Sequence, residues 1–258
     1  MSEISAVGNP YGINPYTGGG RIDPYAIFKL NFEALGGEKQ VKHDKNFYFK
    51  GELEMNNGTF QIEEFISKPL KSLRQISSNF KVVYSSGDDG YNLWDAQDGD
   101  VLSLPDADSK ERKIRRLWDE YAYTDPKNTE FTAVGTRKIS VDGSNCYEIK
   151  IKNRTTDEVV THYYDTESFL LKRETRELSG RKSETNFDDY RDVGKTKIAF
   201  YKEVTNLNTM SKSIYRWDKV EKGMYIPETR FMAPESRNDK TDLSALLNGK
   251  GTQVNLYA

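Results

Sequence analysis

Between Asn46 and Met55 apolar and polar side chains alternate, with Phe47, Phe49, Leu53 and Met55 on one parity and Asn46, Tyr48, Lys50, Glu52 and Glu54 on the other. A period of two puts alternate side chains on one face, so the pattern predicts a strand with one buried and one wet surface. Asn57-Gly58 follows, a pair suited to a two-residue type I′ turn. With those two residues as the loop, Met55 stands opposite Phe60, Leu53 opposite Ile62 and Phe49 opposite Ile66, all apolar and all on one face. A further run, Phe80, Val82 and Tyr84, leads into Asp88-Asp89-Gly90-Tyr91-Asn92-Leu93-Trp94. The stretch from 46 to 94 is expected to be an antiparallel meander.

The helical period of 3.6 shows twice. Asp23-Pro24 is an N-cap followed by proline at the first helical position, and Gly36-Gly37 supplies the stop; between them Tyr25, Phe28, Phe32 and Leu35 share a stripe. Residues 37–45 are expected to add a turn or two of helix. Ser109 to Tyr121 is the second helix, with Ile114, Leu117, Trp118 and Tyr121 at helical spacing. Its remaining surface carries Lys110, Arg112, Lys113, Arg115 and Arg116, which reads as a solvated face or as an anionic-lipid or nucleic-acid patch. Strand patterning returns at 101–104 and from Phe131: Ile139 and Val141 before Asp142-Gly143, then Tyr147–Ile151, Val160–Tyr164 and Phe169–Arg173. Further strands are expected at 182–191, 197–206, 212–220 and 225–232. About nine to eleven strands linked by hairpins imply a closed or partly closed antiparallel sheet.

Outside these elements, residues 1–22 are rich in Gly, Asn, Pro and Ser and predict a flexible or draped arm, whose Tyr11 and Tyr16 could dock aromatics. From 233 to 258 the chain is a polar tail, with a turn of helix at 243–247 and a last strand at 252–257 as candidates. The segment from 23 to 232 is the folded domain.

Composition narrows the classes. The chain has 258 residues, 36% hydrophobic and 30% charged, with a net charge of −2. Both signs are interspersed, so no electrostatic footprint for nucleic acid is present. The single cysteine, Cys146, excludes an intramolecular disulfide, and no run approaches the ~18 apolar residues of a membrane-spanning helix. The first residues lack a charged leader followed by an apolar stretch, which fits a cytoplasmic protein or a mature form whose export signal has been removed.

No cofactor is expected: Walker, Rossmann and Gly-x-Ser-x-Gly patterns are lacking. His43 and His162 stand far apart without ligand partners, so no metal site is expected. His162 reads as a sheet residue, Cys146 as an inert thiol, and Asp165-Thr166-Glu167 as a turn. Asp88-Asp89 and Asp188-Asp189 lack the spaced ligands of a dedicated calcium loop. The expectation is a protein without catalytic residues, a hydrolase on a β-scaffold being the weakest reading.

Several segments, in order, resemble the bacterial outer-membrane lipoprotein-sorting proteins of the LolA/LolB-like carrier family. These are Glu33-Ala34-Leu35-Gly36-Gly37-Glu38 before the first strand, Ser67-Lys68-Pro69, and Asp89-Gly90-Tyr91-Asn92-Leu93-Trp94. Tyr163 to Lys172, with its Asp-Thr-Glu turn and Leu-Leu-Lys, and Phe187 to Val193 are similar to later hairpins of that family. The resemblance spans residues 25–232. It implies a mainly β (α+β) fold: a curved antiparallel sheet forming an incomplete barrel, covered by two short helices and enclosing an apolar cavity for acyl chains. The expected lining is Phe47, Phe49, Leu53, Met55, Phe60, Ile62, Leu93 and Trp94; the alternative is that these side chains only pack helices onto the sheet. Lys68 stands where the carriers have an arginine tied to cargo release, and lacks its planar fork. The resemblance thus implies a carrier of the periplasm or cell envelope, with a lipid or lipoprotein acyl chain and an envelope protein as candidate partners. The other reading is a structural or interaction module using the half-barrel as a scaffold in an envelope assembly.

Overall fold

A computed structural model of the chain describes residues 9–98, 100–103, 109–178 and 180–234. Its framework is a single antiparallel sheet of thirteen strands among the described residues. These are β1 (Asn46–Met55), β2 (Gly58–Ser67), β3 (Lys71–Ser78), β4 (Lys81–Asp88), β5 (Leu93–Gln97), β6 (Asp100–Ser103), β7 (Phe131–Val141), β8 (Ser144–Asn153), β9 (Val159–Asp165), β10 (Leu171–Leu178), β11 (Arg181–Val193), β12 (Thr196–Asn206) and β13 (Ser211–Lys222). Each of β1–β6 neighbours the next, as does each of β7–β13, and pairing of β1 with β13 joins the two runs, leaving β6 and β7 as the edges. The helices are α1 (Pro24–Ala34), α2 (Glu38–His43) and α3 (Ser109–Asp119).

The first hairpin forms, but two residues out of the expected register. Leu53 faces Phe60, and Met55 faces Gly58. The turn falls on Asn56-Asn57, and the positive φ of 137° belongs to Gly58. A shift of two preserves the face of every side chain, so the apolar stripe survives the slip. Strand β3 escaped the pattern because Leu73 and Ile76, its two buried apolar residues, lie on opposite faces and give no period of two. Phe80, expected at the start of β4, sits instead in the β3–β4 turn with φ 62° and is fully exposed. Residues 225–232 form no strand: Pro227 offers no amide to a ladder, and Glu228–Phe231 is a 3₁₀ turn. The candidates at 243–247 and 252–257 lie outside the described residues.

Helix α1 begins as expected, the Asp23 carboxylate accepting hydrogen bonds from the Tyr25 and Ala26 amides. Its Ile27, Phe28 and Leu30 enter a core with Phe131, Tyr147, Ile149, Ile151 and Tyr164. Residues 9–22 run over the same region: Tyr11 meets Phe169 and Tyr16 meets Tyr147 edge to face.

Helix α3 shows how the sheet bends. Its Arg115 donates to Asp88 of β4 at 2.8 Å, and its Trp118 packs on Phe131 of β7 at 4.8 Å between ring centres. In sheet order β4 and β7 lie ten strands apart, which in a flat sheet would be roughly 48 Å. An 11-residue helix spans only about 16 Å. The sheet is therefore curled, and α3 lies across the gap between its two ends: an incomplete barrel covered by short helices.

Candidate functional site

Directly paired residues share a face, so the inner surface can be traced strand by strand. Ile149 faces His162, His162 faces Glu174, Glu174 faces Thr185, Thr185 faces Val204, Val204 faces Ser213, and Ser213 faces Met55. From β1 the same face continues through Leu53 and Phe60, then Ile62, Ile76 and Tyr84. The inner surface divides into two halves of different construction. Over β7–β9 it is filled by α1, α3 and the arm. Over β1–β3 and β12–β13 it is a cluster built from strand residues alone: Leu53, Ile62, Ile76, Phe200, Val204, Tyr215 and Trp217, flanked by Phe49, Met55, Phe60, Val83 and Tyr84.

Of the eight lining candidates, Phe49, Leu53, Met55, Phe60 and Ile62 come together in this second cluster. Phe47 stacks on Phe49 at 6.1 Å. Leu93 pairs with Asp88 and is buried on the same face, farther along. Trp94 is on the other side of the sheet: its indole N–H donates to the Phe231 carbonyl at 2.9 Å, and it packs with Leu73, Ala96 and Ile226. Strand alternation carries that information, since Leu93 and Trp94 are neighbours and must point oppositely. Leu53 and Ile62 are fully buried, while Phe49, Met55 and Phe60 are half-buried.

Between the two halves runs a belt of paired charges that sequence reasoning missed. Arg74 donates to Glu64. Arg176 donates to Glu158 at 2.5 Å and to Glu174 at 3.2 Å, and the Trp118 indole donates to Glu158 at 2.9 Å. His162 bridges the Tyr164 hydroxyl (2.8 Å) and Glu174 (3.0 Å). Burial alone would raise the Glu174 carboxyl, but the Arg176 charge and the His162 hydrogen bond outweigh it and hold the group at about 2. Lys202, over the Tyr215 ring at 5.2 Å, is pushed down to about 8 by burial. Glu64, Arg74, Glu174 and Lys202 are charged strand residues with the local look of a solvated surface, yet they lie on the inner face beside their cross-strand partners.

The basic face of α3 is also partly interior. Arg112 and Arg115 turn inward onto Asp88, which is 0% exposed, while Lys113 pairs with Glu130 and Arg116 with Glu120. The solvated-face reading holds only for the second pair. Lys68, followed by a cis peptide to Pro69, donates to the Tyr121 hydroxyl at 3.0 Å, and the Leu70 amide donates to Asp119 at 2.9 Å. The β2–β3 loop thus holds the C-terminal end of α3. Cys146 is buried, and that burial pushes its thiol up to about 11. A groove of about 510 Å³ is lined by Asp188, Asp189, Arg191, Tyr201, Arg216 and Asp218 together with Phe200 and Trp217 of the apolar cluster. Among the described residues no helix is long and apolar enough to cross a membrane, and no three His, Cys, Asp or Glu side chains group as metal ligands.

The fold defined by this curled sheet and its helices is LolA-like. Among solved structures it is similar to a DUF1329 family protein from Desulfovibrio piger (TM-score 0.56, 14% identity, covering 80% of this chain and 96% of that one). It is similar too to a putative outer membrane lipoprotein-sorting protein domain from Vibrio parahaemolyticus (0.55, 10%, 80% and 95%) and to a LolA superfamily protein from Nitrosomonas europaea (0.52, 11%, 80% and 96%). At these identities the likeness concerns the fold. No family model matches the sequence, and a search of curated proteins finds no match.

Proposed function

We propose that this chain is a non-catalytic binding or carrier protein of the bacterial cell envelope, and that it takes a lipid or lipoprotein acyl chain on the strand-only half of its inner face. The observation that carries the reading is the split interior. One half is filled by helices, whereas the apolar cluster around Leu53 and Ile62 is built from strand residues, with Phe49, Met55 and Phe60 half-buried at its margin. Side chains at partial exposure part at less cost than a helix lifts from a filled core. Phe47, Phe49, Leu53, Met55, Phe60 and Ile62 form the lining, with Leu93 at its far end. Trp94, bound on the other side of the sheet, belongs to the scaffold. A chain of about twelve methylenes gains roughly 10 kcal/mol when buried, ample for parting a few side chains. Lys68, latched to the end of α3, is the position through which release couples to helix movement. The fold likeness to a lipoprotein-sorting domain and a LolA superfamily protein supports both this reading and a periplasmic setting.

The test is displacement of a fluorescent long-chain fatty acid from the full chain. Binding at micromolar concentrations, lost in Phe60→Glu and retained in Trp94→Phe, is expected. Equal binding by the native chain and Phe60→Glu would refute the site.

A further inference from the structure

Four buried side-chain atoms have no hydrogen-bond partner among the described residues: Arg74 Nη1, Ser86 Oγ, Arg112 Nη2 and Asn153 Nδ2. An unpaired buried donor is costly, and each such group calls for an explanation. Three of the four lie together. Arg74 of β3 and Ser86 of β4 are directly paired and so stand side by side on the inner face. Asp88, two residues farther along β4 and so about 7 Å away, holds Arg112 of α3 at 3.5 Å. Arg74 Nη1 and Ser86 Oγ, the latter beside the Tyr84 hydroxyl, thus lie on neighbouring strands of one face, and Arg112 of α3 approaches that face at Asp88. Arg74 lies over the Tyr215 ring, a member of the apolar cluster, so this patch adjoins the inner end of the proposed lining.

Arg74, Arg112, Arg115 and Lys202 stand among the carboxylates of Glu64, Asp88, Asp89 and Asp95. Of these, Asp95 accepts the Tyr84 hydroxyl at 2.8 Å, and burial pushes its carboxyl upward against that bond. Guanidinium forks and a hydroxyl match an oxyanion, carboxylate or phosphate, better than a neutral head.

We propose that Arg74, Ser86 and Arg112 form the head-group subsite for a single-chain acidic amphiphile, whose oxyanion they bind while its chain runs along Ile62, Leu53 and Phe60 towards Met55. The inference rests on the acyl-binding reading above and names its ligand class. An oxyanion at this place accepts from the unpaired Arg74 and Arg112 N–H groups, and the chain leaves by the half-buried end of the apolar cluster.

The experiment titrates the full chain with oleate, oleyl alcohol and inorganic phosphate by calorimetry. The expected result is oleate binding at least about tenfold tighter than oleyl alcohol, with phosphate alone far weaker than oleate. Arg74→Met and Ser86→Ala are each expected to remove most of that preference and leave the alcohol's affinity in place. Ser86→Ala changes little volume and guards against misfolding of the arginine variant. Equal affinity for oleate and oleyl alcohol would overturn the head-group subsite and leave the acyl site standing. Binding of neither would overturn both. Phosphate binding as tightly as oleate would overturn the amphiphile in favour of a free anion.

Discussion

Replacing Asp88 by asparagine tests how α3 is held across the gap in the barrel. The carboxylate is 0% exposed and receives Arg115 at 2.8 Å and Arg112 at 3.5 Å, with the arginine side chains 22% and 15% exposed. Asparagine keeps an oxygen for the Gly90 amide, which donates to Asp88 Oδ1 at 2.8 Å, and removes only the charge. Two guanidinium groups then face each other in a poorly hydrated site. Breaking a buried pair by removing one partner costs about 3–5 kcal/mol. For a chain of this size each kcal/mol moves Tm by roughly 2–4 °C, so a fall of roughly 6–20 °C is expected in calorimetry. Hydrogen exchange should show the loss unevenly: amides of α3 exchange faster, while those of β11 and β12, which α3 does not hold, keep their protection. A Tm within about 2 °C of the native value, or an even loss of protection, would refute the claim that Asp88 anchors the helix.

Acid should weaken the molecule through Glu174. Its folded carboxyl is held at about 2, against an ordinary value of 4.5, so its contribution is complete above about 4.5 and fades as pH falls towards 2; Glu174→Gln should flatten that part of a urea-stability profile, and an unchanged profile would sink the assignment. Phe231→Ala, at a 1% exposed ring under Trp94, should cost about 3–5 kcal/mol in urea denaturation without altering fatty-acid affinity; a matching loss of affinity would contradict the placing of this cluster on the far side of the sheet. A side chain at Gly135 would put its Cβ 2.5 Å from the Ile22 carbonyl oxygen, so Gly135→Val should loosen residues 9–22 and speed proteolysis there while the barrel stays folded.

The strands legible in the sequence were those whose two faces differ. In β1 and β2 alternation located the strands and the face, although the register slipped by two, because a polar Asn-Asn-Gly corner admits two turns that preserve parity. The pattern failed where both faces are covered: β3 puts Leu73 under the outer cluster and Ile76 in the inner one. It failed again where charge is interior, since Glu64, Arg74, Glu174 and Arg176 have the local signature of a solvated surface and find their partners on the same or the adjacent strand, facing inward. The orphaned donors at Arg74, Ser86 and Arg112 have no sequence signal at all, being a meeting of β3, β4 and α3.

The claim that the strand-only half of the inner face receives an acyl chain is most directly tested by photo-crosslinking with a diazirine-bearing fatty acid, followed by peptide mass spectrometry. Labels on Phe49, Met55, Phe60 or Ile62 are the predicted result. Labels confined to Tyr201, Arg216 and Asp218, or spread without preference, would contradict it.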